Sequence, residues 1–289
     1  MANLQGPLLM VAAMLGFAVE DALIKHLAGR LPPGQIALAL GLIGGTIFAV
    51  LLRRHGQRLF IAQGLKGAAL VRNLCEVGAV ITMTMGVVLV PLSVVSSILQ
   101  AMPLAVTMGA ALVLGEKVGW RRWSAIVVGF VGVLMILRPG FDGFDARALI
   151  PLAAVLFLTA RDIATRRVIG TVSSLHLSGW GFLAALPGGV LMLAFRAEVP
   201  ILPTLTETLL LITMGVIGVT AYFALVMATR GGALATTTPF RYSRLVFALI
   251  LGAVFFGERP DALTLGGSAL IVAAGLYTMA REMRLARQR

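Results

Sequence analysis

The sequence predicts an all-α membrane protein whose ten transmembrane helices form two five-helix repeats of inverted topology. Three observations carry this expectation. The chain is 59% hydrophobic and only 12% charged, with a mean hydropathy of +0.97, whereas about a quarter of the residues in a soluble domain are charged. Its apolar residues come in runs long enough for the about 20 residues a helix needs to cross hydrocarbon. Finally, the chain is self-similar: a shift of 141 or 142 residues lays Asp21 on Asp162, Lys25 on Arg166, Gln35 on His176, Ser96-Ser97 on Thr237-Thr238 and LVLGEKV (112–118) on VFFGERP (254–260).

The first run, 8–28, has no basic segment before Leu8 and reads as a retained span, not a cleaved leader. It ends in GFAVEDALIKH (16–26). The second, 35–52, contains GLIGG (41–45), whose small residues let helix backbones approach closely. The third, 67–88, carries Arg72 and Glu76. The fourth, 92–114, starts directly after Pro91, which makes it an antiparallel neighbour of the third, and holds Ser93, Ser96, Ser97 and Pro103. The fifth, 122–138, is Gly-rich (GFVG, 129–132). The sixth, 149–168, repeats the opening charge pattern as FLTARDIATRR (157–167). The seventh, 174–195, carries His176 and Trp180, and the eighth, 208–229, Tyr222 and Phe223. A short Gly231-Gly232 link leads into the ninth, 233–256, with Thr236 to Thr238, Arg241, Tyr242, Ser243 and Arg244; the tenth is 262–280.

Ten spans place both termini on one side. That side takes most of the loop charge, including Arg53, Arg54, Arg58, Lys117, Arg121, Arg122, Arg281 and Arg284; the other takes Lys25, Arg30, Arg138, Arg147, Arg196 and Arg259. By the positive-inside rule the termini are cytoplasmic, in a bacterial-type inner membrane. The net charge of +12 is therefore a topological signal, and no nucleic-acid partner is expected. Cys75 is the one cysteine, so no intrachain disulfide forms. The repeats divide the chain into 1–141 and 142–289. Five spans per copy is odd, so the copies are oppositely oriented, an arrangement usual in secondary carriers.

LGEKVGWRRW (114–123) followed by GFVGVLMILRPG (129–140), and FRYSRLVFALILGAVFFGERPDALTLGGSALIVAAG (240–275), each set a Gly-Glu loop between two apolar helices. On these residues the chain resembles the drug/metabolite transporter superfamily, in its ten-span branch of paired EamA-type repeats, over essentially its whole length. The resemblance implies metabolite transport without ATP hydrolysis, often export of amino acids, and leaves the substrate open. Family members often carry an Arg a few residues after the position of Gln35. Here that stretch reads IALALGLIGG, and no role of that Arg carries over.

Arg72, Arg161, Arg241 and Arg244 fall within spans, as do Glu20, Asp21, Glu76 and Asp162. Each costs about 2.5 to 3.5 kcal/mol near a helix centre, so each should be paired or line a wet cavity. Asp21 with Lys25 and Asp162 with Arg166 have the i,i+4 spacing of helical ion pairs, with the bases near span ends where they can snorkel. Glu20 and Arg161 sit at equivalent places in the two copies with opposite charge. They either recognise a zwitterion and exchange a proton, or form an interhelical salt bridge. Arg244, with Arg241 and Tyr242, offers donors for a carboxylate or pairs with Glu76 or another acid. Glu76 pairs with Arg72 or, facing water, serves as a proton carrier.

Pro103, the counterpart of Arg244, loosens the carbonyl of Leu99 and gives either a gating bend or a tolerated kink. Trp180 is an interfacial anchor or a cavity wall, and Tyr222 and His176 are lining candidates. Ser97, Ser93, Ser96 and the matched threonines back-bond, cross-link helices or line the path. Glu116 and Glu258 follow tight turns and act structurally at a helix N-terminus.

The leading expectation is a carrier moving amino acids, aromatic ones included, outward by alternating access, facilitated or with protons as coupling ion. The alternative is a carrier of larger organic cations, carboxylates or S-adenosylmethionine-like compounds, including uptake. No GxSxG, HExxH, His/Cys cluster or GxxxxGK[ST] loop is present, so no enzyme, metal or cofactor is expected. The expected partners are a small-molecule substrate and the lipid bilayer.

Overall fold

The computed structural model describes residues 5–116, 118–139, 144–168, 172–230 and 237–287. Among them ten helical stretches are long and apolar enough to cross a membrane, and no strand occurs. The helices are α1 (Gln5–Leu27), α2 (Pro33–Arg54), α3 (Gly67–Leu89), α4 (Leu92–Leu99), α5 (Met102–Leu114), α6 (Trp120–Leu137), α7 (Leu149–Arg166), α8 (Ser174–Leu183), α9 (Ala185–Arg196), α10 (Leu205–Arg230), α11 (Ser243–Phe256) and α12 (Ala262–Arg287). Every expected span is present. The expected Gly231-Gly232 link and the first residues of the expected ninth span, through Thr236, lie outside the described residues.

Two spans consist of two helices each, and both divisions follow from proline. The fourth stops at Leu99 and resumes at Met102, with Pro103 in the first turn of α5, the place expected from the freed Leu99 carbonyl. The seventh divides at Ala184, four residues before Gly188 and three before Pro187, whose missing N–H frees the Leu183 carbonyl; the sequence reading passed over this proline. The ninth span opens with a 3-10 turn, Thr238–Tyr242, that becomes α-helical at Ser243. The fourth and ninth spans thus change geometry at equivalent positions.

Helix contacts follow one scheme. α1 lies on α10 and α3 on α7; α2 lies on α8 and α9, α4 on α11, and α6 on α12. Exchange the first five spans with the last five and the same scheme returns. Close approach rests on glycines. A Cβ at Gly34 would meet the Gly189 carbonyl at 2.6 Å, and one at Gly189 the Gly34 carbonyl at 2.5 Å; Gly132 and Gly267 face each other the same way, at 2.7 and 2.6 Å. Gly41 faces Leu186 and Gly45 faces Leu183, so α2 rises as α8–α9 descends. The GLIGG and GFVG glycines therefore serve contacts within the chain. Equivalent spans running antiparallel is compatible with inverted copies. The main apolar cluster gathers Ile24, Leu27, Leu31, Val87, Val90, Leu92 and Val95 with Ile136, Leu137 and Leu211, near the ends of α1 and α3.

Candidate functional site

The interior charges converge from α1, α3, α7 and the start of the ninth span. Arg161 Nη1 on α7 donates to Glu76 Oε1 on α3 at 3.2 Å, and Arg161 Nη2 lies 2.8 Å from Asp162 Oδ1. Arg72 Nη2 stands 3.0 Å from Glu76 Oε2, and its Nη1 donates to Asn73 Oδ1. On the other side Arg244 Nη2 donates to Asp21 Oδ2 at 2.6 Å, and its guanidinium lies 5.5 Å from the centre of the Phe17 ring, a cation–π distance. Arg72, Glu76, Glu20 and Asp21 are all buried. With hydrocarbon around them, Asp21, Glu76 and Asp162 persist as charges because each meets a guanidinium.

Of the i,i+4 pairs expected from sequence, Arg72 with Glu76 forms, whereas Asp21 with Lys25 and Asp162 with Arg166 do not. Asp21 pairs with Arg244 and Asp162 with its neighbour Arg161. Lys25 reaches Glu258 at 3.4 Å and donates to the Val87 and Val90 carbonyls, while Arg166 reaches Glu116 at 3.1 Å. A pair along one helix offers a few tenths of a kcal/mol; contacts between helices satisfy the same charges and also close the bundle. Lys25 therefore points inward and does not snorkel.

Two charges are left over. Neither Glu20 nor Arg241 has an ion-pair or hydrogen-bond partner among the described residues. Glu20 is 9% exposed and its carboxylate rests against Gly218 of α10, where a Cβ would lie 2.6 Å from Oε1. Arg241, at the 3-10 entry of the ninth span, has Asp162, Arg161 and Arg244 as its charged neighbours. The sequence reading set Arg161 opposite Glu20. Arg161 is instead held by Glu76 and Asp162, and the free guanidinium is Arg241.

The other candidates divide by partner. Tyr242 is buried with its hydroxyl against Gly275 of α12, and Gln100 Nε2, in the gap between α4 and α5, is 3.4 Å from its carbonyl. Tyr222 meets Phe48 and Phe182 edge-on, centroids 6.3 Å from each, and those two rings stack at 5.5 Å. Trp180 Nε1 donates to the Leu59 carbonyl at 2.8 Å. His176 accepts at Nδ1 from Ser173 Oγ, 2.8 Å away, and donates from Nε2 to the Arg58 carbonyl at 3.0 Å, each ring nitrogen taking the role its partner requires. Trp180 and His176 thus fasten the α2–α3 connection to α8. Ser97 back-bonds to Ser93 and accepts from Ser268 Oγ at 2.6 Å, joining α4 to α12, while the buried Ser96 hydroxyl has no partner among the described residues.

Two clefts lie away from these charges. One, of about 370 Å³, is lined by Gln63, Lys66, Arg167 and Val172. The other, of about 310 Å³, is lined by Ser93, Asp145, Glu258 and Asp261. No group of three or more potential metal ligands occurs among the described residues. Sequence reading overlooked Phe48, Phe182 and Gly218; an isolated glycine inside an apolar span is the signal that marks Gly218 as a place of close approach.

Ten apolar spans among the described residues, enclosing charged side chains, define a multi-pass membrane protein. The chain belongs to the EamA-like transporter family, whose model matches residues 4–138 and again 147–280. It is similar to a riboflavin transporter of Rhizobium johnstonii, 32% identical over 70% of this chain and 67% of that one. It is also similar to an S-adenosylmethionine uptake transporter of Rickettsia bellii, 25% identical over 94% and 92%, and to a pseudopaline exporter of Pseudomonas aeruginosa, 28% identical over 93% and 94%. A solved structure 20% identical in sequence superposes with a TM-score of 0.65, covering 97% of this chain and 98% of that one, and shares the fold. The family and these relatives make the chain a transporter of small molecules.

Proposed function

We propose that the protein is an alternating-access carrier of small zwitterions, amino acids first, moved outward across the inner membrane with both termini in the cytoplasm. The repeats 1–141 and 142–289, inverted, rock about the interior charges. The observation that carries this reading is that Glu20 and Arg241, each with Arg244 among its charged neighbours, both lack a partner among the described residues. Leaving a carboxylate and a guanidinium unmatched inside a membrane is costly, and a ligand bearing one ammonium and one carboxylate relieves both costs at once. Tyr222, Phe48 and Phe182 suit aromatic side chains. Protons are the expected coupling ion, with Glu20 as the carboxylate free to take one. Pro103, at the break between α4 and α5, supplies the gating bend.

A second reading is uptake of S-adenosylmethionine-like compounds, which add a sulfonium to an amino-acid zwitterion. It is favoured by the similarity to the Rickettsia bellii transporter along 94% of the chain.

Counterflow in proteoliposomes tests both. Parent protein should exchange amino acids but not their amides or the corresponding amines, with S-adenosylmethionine deciding between the readings. Glu20→Gln and Arg241→Gln should each raise the apparent KM about tenfold or more, the loss of one charged contact. Near-parent rates in both variants at normal expression would remove the zwitterion from the account.

A further inference from the structure

The two Gly-Glu loops are equivalent in sequence and cap their helices alike. Gly115 ends α5 at φ 70° and Gly257 ends α11 at φ 63°, the left-handed geometry that glycine adopts freely. The Glu116 amide donates to the Ala110 carbonyl and the Glu258 amide to the Gly252 carbonyl, at 3.3 and 2.9 Å. Beyond the backbone the two glutamates part.

Glu258 folds back into the protein. Its Oε1 accepts from the Leu92 amide at 2.7 Å, and its Oε2 from the Ser93 amide at 3.0 Å and the Ser93 hydroxyl at 2.9 Å, so it satisfies the open N-terminus of α4. Lys25 Nζ completes the cluster, 3.4 Å from Oε1, while donating to the last carbonyls of the third span, those of Val87 and Val90, at 3.3 and 2.7 Å. One carboxylate and one ammonium thereby bind the ends of α1, α3, α4 and α11. Their side chains are 9% and 17% exposed, whereas those of the equivalent Glu116 and Arg166 are 51% and 49% exposed.

One difference lies beside the carboxylate, while residues 233–235, the counterparts of Leu92 and Ser93, lie outside the described residues. Gly252 lies under the Glu258 carboxylate, and a Cβ there would stand 2.6 Å from Oε2 and 3.0 Å from Cδ. The equivalent position in the first copy is Ala110, whose methyl stands at the place corresponding to the one into which Glu258 folds.

We propose that Lys25 and Glu258, admitted by Gly252, form a latch that seals the Lys25 face of the carrier. Arg166 and Glu116, half exposed and with Ala110 in the place of Gly252, form a weaker counterpart at the opposite face. The resting carrier is therefore closed at the Lys25 face, where Ile24, Leu27, Val87, Val90, Leu92 and Val95 pack around the latch, and it opens more readily at the Arg166 face. The role as a gate rests on the carrier reading; the latch itself is measured without substrate.

The test places a cysteine behind the latch, Ser96→Cys in a Cys75→Ser background. Its rate of reaction with a membrane-impermeant maleimide is followed in sealed vesicles whose Lys25 face is outward. Gly252→Ala removes no charge and substitutes a better helix former, yet it should raise the labelling rate about tenfold, as should Glu258→Gln, because each uncouples a buried pair. Glu116→Gln should leave the rate unchanged or lower it. Gel filtration confirms that each variant is folded. Parent-like labelling in folded Gly252→Ala and Glu258→Gln overturns the latch, as does a rise in Glu116→Gln equal to that in Glu258→Gln. Failed counterflow with these labelling results intact would sink the zwitterion assignment and leave the latch standing.

Discussion

Gly218 faces the Glu20 carboxylate so closely that a Cβ at position 218 would lie 2.6 Å from Oε1 and 2.9 Å from Cδ. The glycine makes the space in which an unpaired acid sits between α1 and α10. Gly218→Ala should therefore displace the carboxylate without removing its charge, and the helix itself should gain slightly from alanine. Transport should fall about tenfold or more, since a misplacement near 1 Å at a binding group has effects of this size, with expression and thermal stability retained. Counterflow alongside fluorescence-detected gel filtration reads both, and unaltered transport in a folded protein would separate Glu20 from the path.

Hydropathy located all ten spans because a bilayer admits only long apolar helices, a constraint written along the chain. The pairing of charges was less legible. Asp21 and Lys25 share the spacing of a helical pair, yet their partners are Arg244 and Glu258, more than 200 residues away. Local spacing proposes contacts of a few tenths of a kcal/mol, and a tertiary contact overrides them once the helices pack. The break at Ala184 was legible and passed over, because the rule applied at Pro103 applies equally at Pro187. The separation of Arg241 from Arg161 was not legible, since it depends on which guanidinium reaches Glu76 across the α3–α7 interface.

The reciprocal contact of Gly34 and Gly189, each meeting the other's carbonyl at about 2.5 Å if given a Cβ, predicts intolerance at both positions. The obstacle is backbone, which moves only if α2 and α9 separate along their length. Gly34→Ala and Gly189→Ala should each cost about 1 to 3 kcal/mol by overpacking and lower the melting temperature by several degrees. Gly119→Ala, with nothing within 4 Å of its Cβ position, should leave it unchanged. A thermal shift series in detergent distinguishes the two classes.

Outside the spans, Asp261 pairs with Arg138 and accepts from the Thr264 amide at 2.9 Å. The Arg138 hydrogen bond, followed by that of Thr264, holds its carboxyl down at about 2, against 3.8 for the free group. A depressed folded value favours the folded state above the unfolded value and loses that advantage as pH falls through the folded one. Asp261→Asn should therefore melt at a slightly lower temperature than the parent from pH 5 to 8, and the gap should close between about pH 4 and 2. The effect is small because the carboxylate is half exposed and solvent-screened.

Glu76 joins Arg72 and Arg161 across the α3–α7 interface, 3.0 and 3.2 Å away, and the Arg72 side chain is only 6% exposed. Removing the acid leaves Arg72 with no carboxylate in contact among the described residues, whereas Arg161 retains Asp162 at 2.8 Å. Breaking one side of a buried pair costs about 3 to 5 kcal/mol, and replacing both sides by apolar groups is often neutral. Glu76→Leu should consequently destabilise the protein strongly, Arg72→Leu less, because Glu76 keeps Arg161, and the double substitution should recover most of the loss. If Glu76 acts only in this pairing, transport by the folded double variant should keep the parent's dependence on the proton gradient. Loss of that dependence with stability restored would instead identify Glu76 as the group that carries the proton.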